Sequence, residues 1–157
     1  MPLYLALFLL LTVNVFQKDK CLCTPATPED TTFLGWTEFV LSEKQNLKQI
    51  TGTATIAAKF NEKTVPVSNV LVEVFDNPDI ALTHNLDLKT RQEKQKRVAA
   101  CFTGLDGKFC FNQIPKGSYE VRLSKQGYDP TSVIVNLVKR SAKYEDKTLH
   151  ILMTVSQ

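Results

Sequence analysis

The sequence predicts an all-β protein: a seven-stranded Greek-key β-sandwich with an N-terminal hydrophobic segment and a short helical insertion. Three observations predict it. Apolar residues alternate at period two in repeated short runs from Gln49 to Val155. Turn residues separate the runs at roughly regular intervals. The densest stretch, Arg97 to Tyr128, holds three such runs split by Leu105-Asp106-Gly107, Ile114-Pro115-Lys116-Gly117 and Gln126-Gly127-Tyr128.

The strands follow in order. Ile50 to Phe60 alternates, and Val70 to Phe75 forms the second run after Val65-Pro66-Val67-Ser68. Asp76-Asn77-Pro78-Asp79 is a turn cluster. Ile80 to Lys96 is a long insertion with a helical turn expected around Leu86 to Lys96. Then come Val98 to Thr103, Lys108 to Asn112, Ser118 to Ser124, Thr131 to Val138 and Lys147 to Val155. Gly107 supplies a positive φ, and Asp106 accepts backbone N–H groups. Pro115 fixes φ, and Gly117 and Gly127 relax it before the next strand or corner. Tyr128 places an aromatic at a sheet corner. Tyr119, Val121 and Leu123 alternate inward.

The chain divides into residues 1–17, an N-terminal hydrophobic segment; 18–48, a linker and accessory segment; and 49–157, the sandwich. Leu3 to Phe16 is uncharged and about 14 residues long, the length of a signal-peptide core rather than of a membrane span. It is read as a signal peptide; uncleaved, it would be the only membrane contact. Lys20 before Cys21 argues against a lipoprotein. Phe33 to Lys48 is ambiguous between helix and strand, because Phe33, Trp36, Phe39 and Val40 recur at helical spacing. Localisation is expected to be secreted, periplasmic or cell-envelope.

Four cysteines in an exported chain point to disulfides. If Val98 to Thr103 and Lys108 to Asn112 form a hairpin across a four-residue turn, Cys101 lies opposite Cys110. That pairing, Cys101–Cys110, is expected, with the phenylalanines on the opposite, core-facing side. Cys21 and Cys23 pair elsewhere, stay free or bind another chain.

The 157 residues carry a net charge of +3, too mild to imply a nucleic-acid partner. The basic run Lys89 to Arg97 reads as a solvated helix or loop. Only His84 and His150 are present. Neither belongs to a metal-ligand spacing, so no metal and no cofactor are expected. No nucleophile elbow or phosphate loop appears. An isopeptide cross-link needs Lys on a first strand, an acid between and Asn on the last. Lys59 and Glu73 could fill two roles, but the last strand has no Asn.

Taken together, Gly52, Val65-Pro66-Val67-Ser68, Thr103-Gly104-Leu105-Asp106-Gly107-Lys108-Phe109, Ile114-Pro115-Lys116-Gly117-Ser118-Tyr119 and Gly127-Tyr128 resemble the carboxypeptidase regulatory-like family. The resemblance covers Gln49 to Val155. It departs at Gly104, where that family usually has Asp, and in the insertion Ile80 to Arg97. It implies a transthyretin-like sandwich that is usually non-catalytic and serves exported proteins as an accessory or binding module. The chain ends Met153-Thr154-Val155-Ser156-Gln157, without the Tyr-Arg-Gly-Ser terminus of the transthyretin-like hydrolases. The expected function is therefore binding or structural support, not catalysis, with an unknown protein or carbohydrate ligand. The alternative is a carbohydrate-binding module whose aromatics, Trp36, Tyr128 or Tyr144, stack on sugars. An enzyme of unknown class is the remote third.

Overall fold

The period-two runs become strands. A computed structural model describes residues 23–31, 39–58, 63–82, 86, 88–138 and 148–156. Among them are β1 (Thr24–Pro25), β2 (Phe39–Leu47), β3 (Ile50–Ala57), β4 (Thr64–Pro66) and β5 (Leu71–Phe75). A 3₁₀ helix (Pro78–Leu82) and α1 (Leu88–Lys94) fill the insertion. β6 (Arg97–Phe102), β7 (Lys108–Phe111), β8 (Gly117–Ser124), β9 (Thr131–Leu137) and β10 (Leu149–Leu152) complete the set. The protein is an all-β sandwich of two sheets, with ten strands among the described residues rather than seven. The three additions are β1, β2 and β4. Two of them come from the stretch read as linker and accessory segment.

The larger sheet has the order β1-β6-β5-β8-β9-β2. β2 runs parallel to β9, which settles the ambiguity of that segment: Phe39 to Leu47 is strand. In the smaller sheet, β10 runs parallel to β3 along one edge. β7 and β4 pair antiparallel with β3, at Ile50 to Thr53 and Thr55 to Ala57 respectively. Those registers put β7 and β4 end to end on the same edge of β3.

The core lies between the sheets. Val72, Val74, Val121, Leu123, Val133 and Val135 face inward from the larger sheet, against Ile50, Ala54, Phe109, Leu149 and Ile151 of the smaller one. Gly52 sits where a side chain would collide with this packing. A Cβ there would fall 2.4 Å from Phe109 Cζ and 2.9 Å from Leu149 Cβ.

The expected Cys101–Cys110 disulfide is absent. Cys101 is a buried free thiol, and Cys110 is bonded to a partner other than Cys101 or Cys23. The reason is topological. The turn after β6 does not close a hairpin; it carries the chain from one sheet to the other. Cys101 pairs in register with Pro25 and Val72, whereas Cys110 pairs with Thr51. Residues on the inner faces of opposed sheets then share the core, so Cys101 joins Phe109 and Phe111 there instead of facing away from them. Thr103 secures the crossover. Its hydroxyl donates to the Val67 carbonyl at 2.9 Å and accepts from the Val70 N–H at 3.0 Å.

Of the sequence-predicted turn residues, Asp106, Gly107 and Gly127 lie in turns or bends, whereas Pro115 precedes β8, Gly117 opens it and Tyr128 forms a bridge. Asp106 Oδ1 accepts the Lys108 N–H at 3.1 Å, and this bond chiefly holds its carboxyl below the usual range. Gly107 has φ 71° and Gly127 φ 86°. The Pro115 carbonyl accepts the Tyr119 hydroxyl at 3.0 Å, and Gly117 opens β8. Tyr128 is half-buried against the core and bridges to Val155.

Candidate functional site: a buried carboxylate beneath the insertion

β8 alternates Tyr119, Val121 and Leu123 inward, which sends Glu120 and Arg122 to the other face of the larger sheet. On an open sheet these charges would meet water. Here Glu120 is 0% exposed and Arg122 4%. The insertion between β5 and β6 covers them, with Arg91 of α1 and Gln95 just beyond it both buried.

The resulting cluster is dense. Arg122 donates to both Glu120 oxygens, from Nε at 3.0 Å and Nη2 at 3.1 Å. Ser132 on β9 donates its hydroxyl to Oε1 at 2.6 Å. Gln95 donates to Oε2 at 2.6 Å, and Arg91 Nη2 reaches Oε1 at 3.4 Å. Arg122 is fixed in turn by Gln95 Oε1 at 3.3 Å and by the Phe75 ring, whose centroid lies 4.3 Å from its guanidinium carbon. Burial by itself pushes the Glu120 carboxyl up. The neighbouring Arg122 charge and the hydrogen bonds from Arg122, Ser132 and Gln95 outweigh it, so the group is held below its ordinary range.

A second ion pair extends the arrangement toward β6. Arg97 Nη1 lies 3.1 Å from Glu73 Oε1, and the same guanidinium donates to the carbonyls of Thr27 (2.8 Å) and Asp30. Glu73 is thus engaged by Arg97, while Lys59 lies outside the described residues. The neck of the insertion is tied as well: the Lys96 N–H donates to Asp76 Oδ1 at 2.6 Å, and Asn77 Nδ2 to the Lys94 carbonyl at 3.1 Å.

The basic run Lys89 to Arg97 is therefore not simply solvated. Arg91 and Arg97 meet buried carboxylates, while Lys94 and Lys96 face water. Sequence reasoning missed Glu120, Arg122 and Ser132. The available signal was a Glu-x-Arg pair inside an otherwise apolar strand, together with a long insertion able to cover it. Chemically, a carboxylate saturated by donors from its own chain acts as a clamp. It grips the insertion to the sheet.

His150 is exposed on β10. His84, Trp36, Tyr144 and Cys21 lie outside the described residues. Among the described residues no group of three or more His, Cys, Asp or Glu side chains is placed to hold a metal ion, and no helix is long and apolar enough to cross a membrane. A surface cleft of about 220 Å³ lies at one end of the sandwich, lined in part by Lys48, Gln49, Asn112, Gln113 and Lys116.

No family model and no curated protein matches the chain. Among solved structures it is similar to GBS52, the minor pilin of the gram-positive pathogen Streptococcus agalactiae. The identity is 19%, over 57% of this chain and 50% of that one, with a TM-score of 0.41. The chain thus spans about half the length of that protein.

Proposed function

We propose that this chain is an exported, non-catalytic β-sandwich module of the carboxypeptidase regulatory-like kind, acting in binding or structural support. One observation carries the reading. The most highly organised polar group among the described residues, Glu120, is sealed under the insertion and occupied by Arg122, Arg91, Gln95 and Ser132. A general acid or base must reach a substrate proton, and this carboxylate faces only its own chain. The motif residues support the family reading through their packing roles: Gly52 beneath Phe109, Gly107 against β3, Tyr119 on Pro115.

Export rests on the uncharged run Leu3 to Phe16. Expressed in a secretion-competent host, the protein should be recovered outside the cytosol, with a mature N-terminus near residue 18 by N-terminal sequencing and intact mass. A chain recovered only from the cytosol with Leu3 to Phe16 intact would count against the reading.

The cleft beside Gln49, Asn112 and Gln113 favours a second reading, a carbohydrate-binding module, since amide side chains suit sugar hydroxyls. Tyr128 packs part of its surface against the core and is half-buried, which leaves less of its ring for stacking. On a glycan array this reading expects a hit that weakens at least tenfold in Gln113→Ala or Trp36→Ala. An empty array, or hits indifferent to both substitutions, removes it.

A further inference from the structure

Two thiols with no part in the clamp meet at the edge of the larger sheet. β1 pairs with β6 so that Pro25 lies opposite Cys101. Cys23, two residues before Pro25, points to the same side and sits diagonally from Cys101. Both side chains belong to the core between the sheets, Cys101 at 2% exposure and Cys23 half-buried at its margin. The Cys23 thiol lies close enough to help burial raise the Cys101 thiol. The Cys23 thiol also donates to the Cys110 carbonyl at 3.2 Å. Cys110 is already committed to a disulfide and does not compete for either sulfur. Diagonal neighbours start slightly beyond the separation of about 4.4–6.8 Å between Cα atoms that a disulfide takes. Cys23 precedes a strand of only two exposed residues, so a small shift of that segment closes the gap.

We propose that Cys23 and Cys101 are a covalent modification site, closing a reversible disulfide that fastens the N-terminal strand to β6. The oxidant class is a low-molecular-weight disulfide such as glutathione disulfide. Cys23, the more exposed thiol, attacks first as its thiolate. It forms a mixed disulfide and displaces one glutathione thiolate. Cys101 then attacks the Cys23 sulfur; its proton passes to the second departing glutathione thiolate. Two protein thiols and one glutathione disulfide become one protein disulfide and two reduced glutathiones. Burial pushes the Cys101 thiol far above its ordinary range, so it waits protonated until the mixed disulfide forms beside it.

The test uses the purified full chain in glutathione buffers, so it is independent of where the protein resides. After equilibration in glutathione disulfide, the protein is unfolded in guanidinium without reductant, alkylated with iodoacetamide and weighed intact. Wild type should leave Cys23 and Cys101 unlabelled after oxidation, and label both after treatment with excess reduced glutathione. After the same oxidation Cys101→Ser should retain one glutathione on Cys23, read as added mass in place of a label, and Cys23→Ser should expose Cys101 alone. Reduction should lower the melting temperature by roughly 5–15 °C. Labelling of both cysteines in the oxidised wild type would overturn the proposal. So would a linked fragment joining Cys101 to Cys110. Should either variant fail to fold, the wild-type mass decides by itself.

Discussion

Replacing Glu120 by Gln lowers the stability of the protein by about 3–5 kcal/mol, because it leaves buried arginine charge without its counter-charge. The Gln amide also turns donors toward Arg122 and Gln95, which themselves donate to this position. Urea unfolding of the purified variant measures the loss; a change below about 1 kcal/mol would contradict the clamp. Glu120→Gln combined with Arg122→Met should cost less than the two single changes summed, since the orphaned charge goes with its partner. A pH signature accompanies this. The folded carboxyl titrates below its ordinary value of 4.5, so its contribution is fully present above that value. It is lost as pH falls through the lower, folded value. Wild-type stability should therefore slope downward below about pH 4.5, and the Gln variant should be flatter there.

Gly107→Val destabilises by roughly 3–5 kcal/mol through two separate faults. The residue has φ 71°, where a β-branched side chain is strained. A Cβ would also lie 2.5 Å from the Ala54 carbonyl oxygen, a backbone atom held in the smaller sheet. Ala54 is the junction of three segments. Its N–H donates to the Gly107 carbonyl at 2.9 Å, and its carbonyl accepts from the Val67 N–H at 2.9 Å. The seam between β7 and β4 therefore passes through Gly107. Gly104, three residues earlier, lacks both constraints: a Cβ there meets only Asp106 Oδ1, at 3.2 Å. Gly104→Ala should stay within about 1 kcal/mol. Equal melting temperatures for Gly107→Val and wild type would refute the seam.

The runs from Gln49 onward were legible because apolar residues recur along them at short range and several stop at turn residues such as Asn61, Asp76, Gly104 and Asn112. The Gly107 and Gly127 corners were legible for the same local reason. The destination of each turn was not. Val98 to Asn112 has the pattern of a hairpin, and nothing in its residues tells a hairpin from a crossover between sheets. The difference lies in Thr103, whose hydroxyl is held by Val67 and Val70, 36 and 33 residues away. The strand Phe39–Leu47 was hidden for a similar reason. It pairs with β9, about ninety residues downstream, while its own spacing equally suits a helix. The inward reading of Tyr119, Val121 and Leu123 leaves Glu120 and Arg122 on the other face, but their burial depends on an insertion whose docking is not a local property.

The two parallel pairings have a consequence for how this protein is born. β2 finds β9 only when Thr131 to Leu137 exists, and β3 gains its outer neighbour only with Leu149 to Leu152. Neither sheet can finish until these two segments have left the ribosome. Chains closed by such distant partners fold in milliseconds to seconds rather than microseconds. Until then Gly52 to Thr55 presents a bare edge, open to capture by a neighbouring chain. Growing polypeptides stalled before Leu149 are the forms most prone to aggregate, and β10 acts as the latch that ends that exposure.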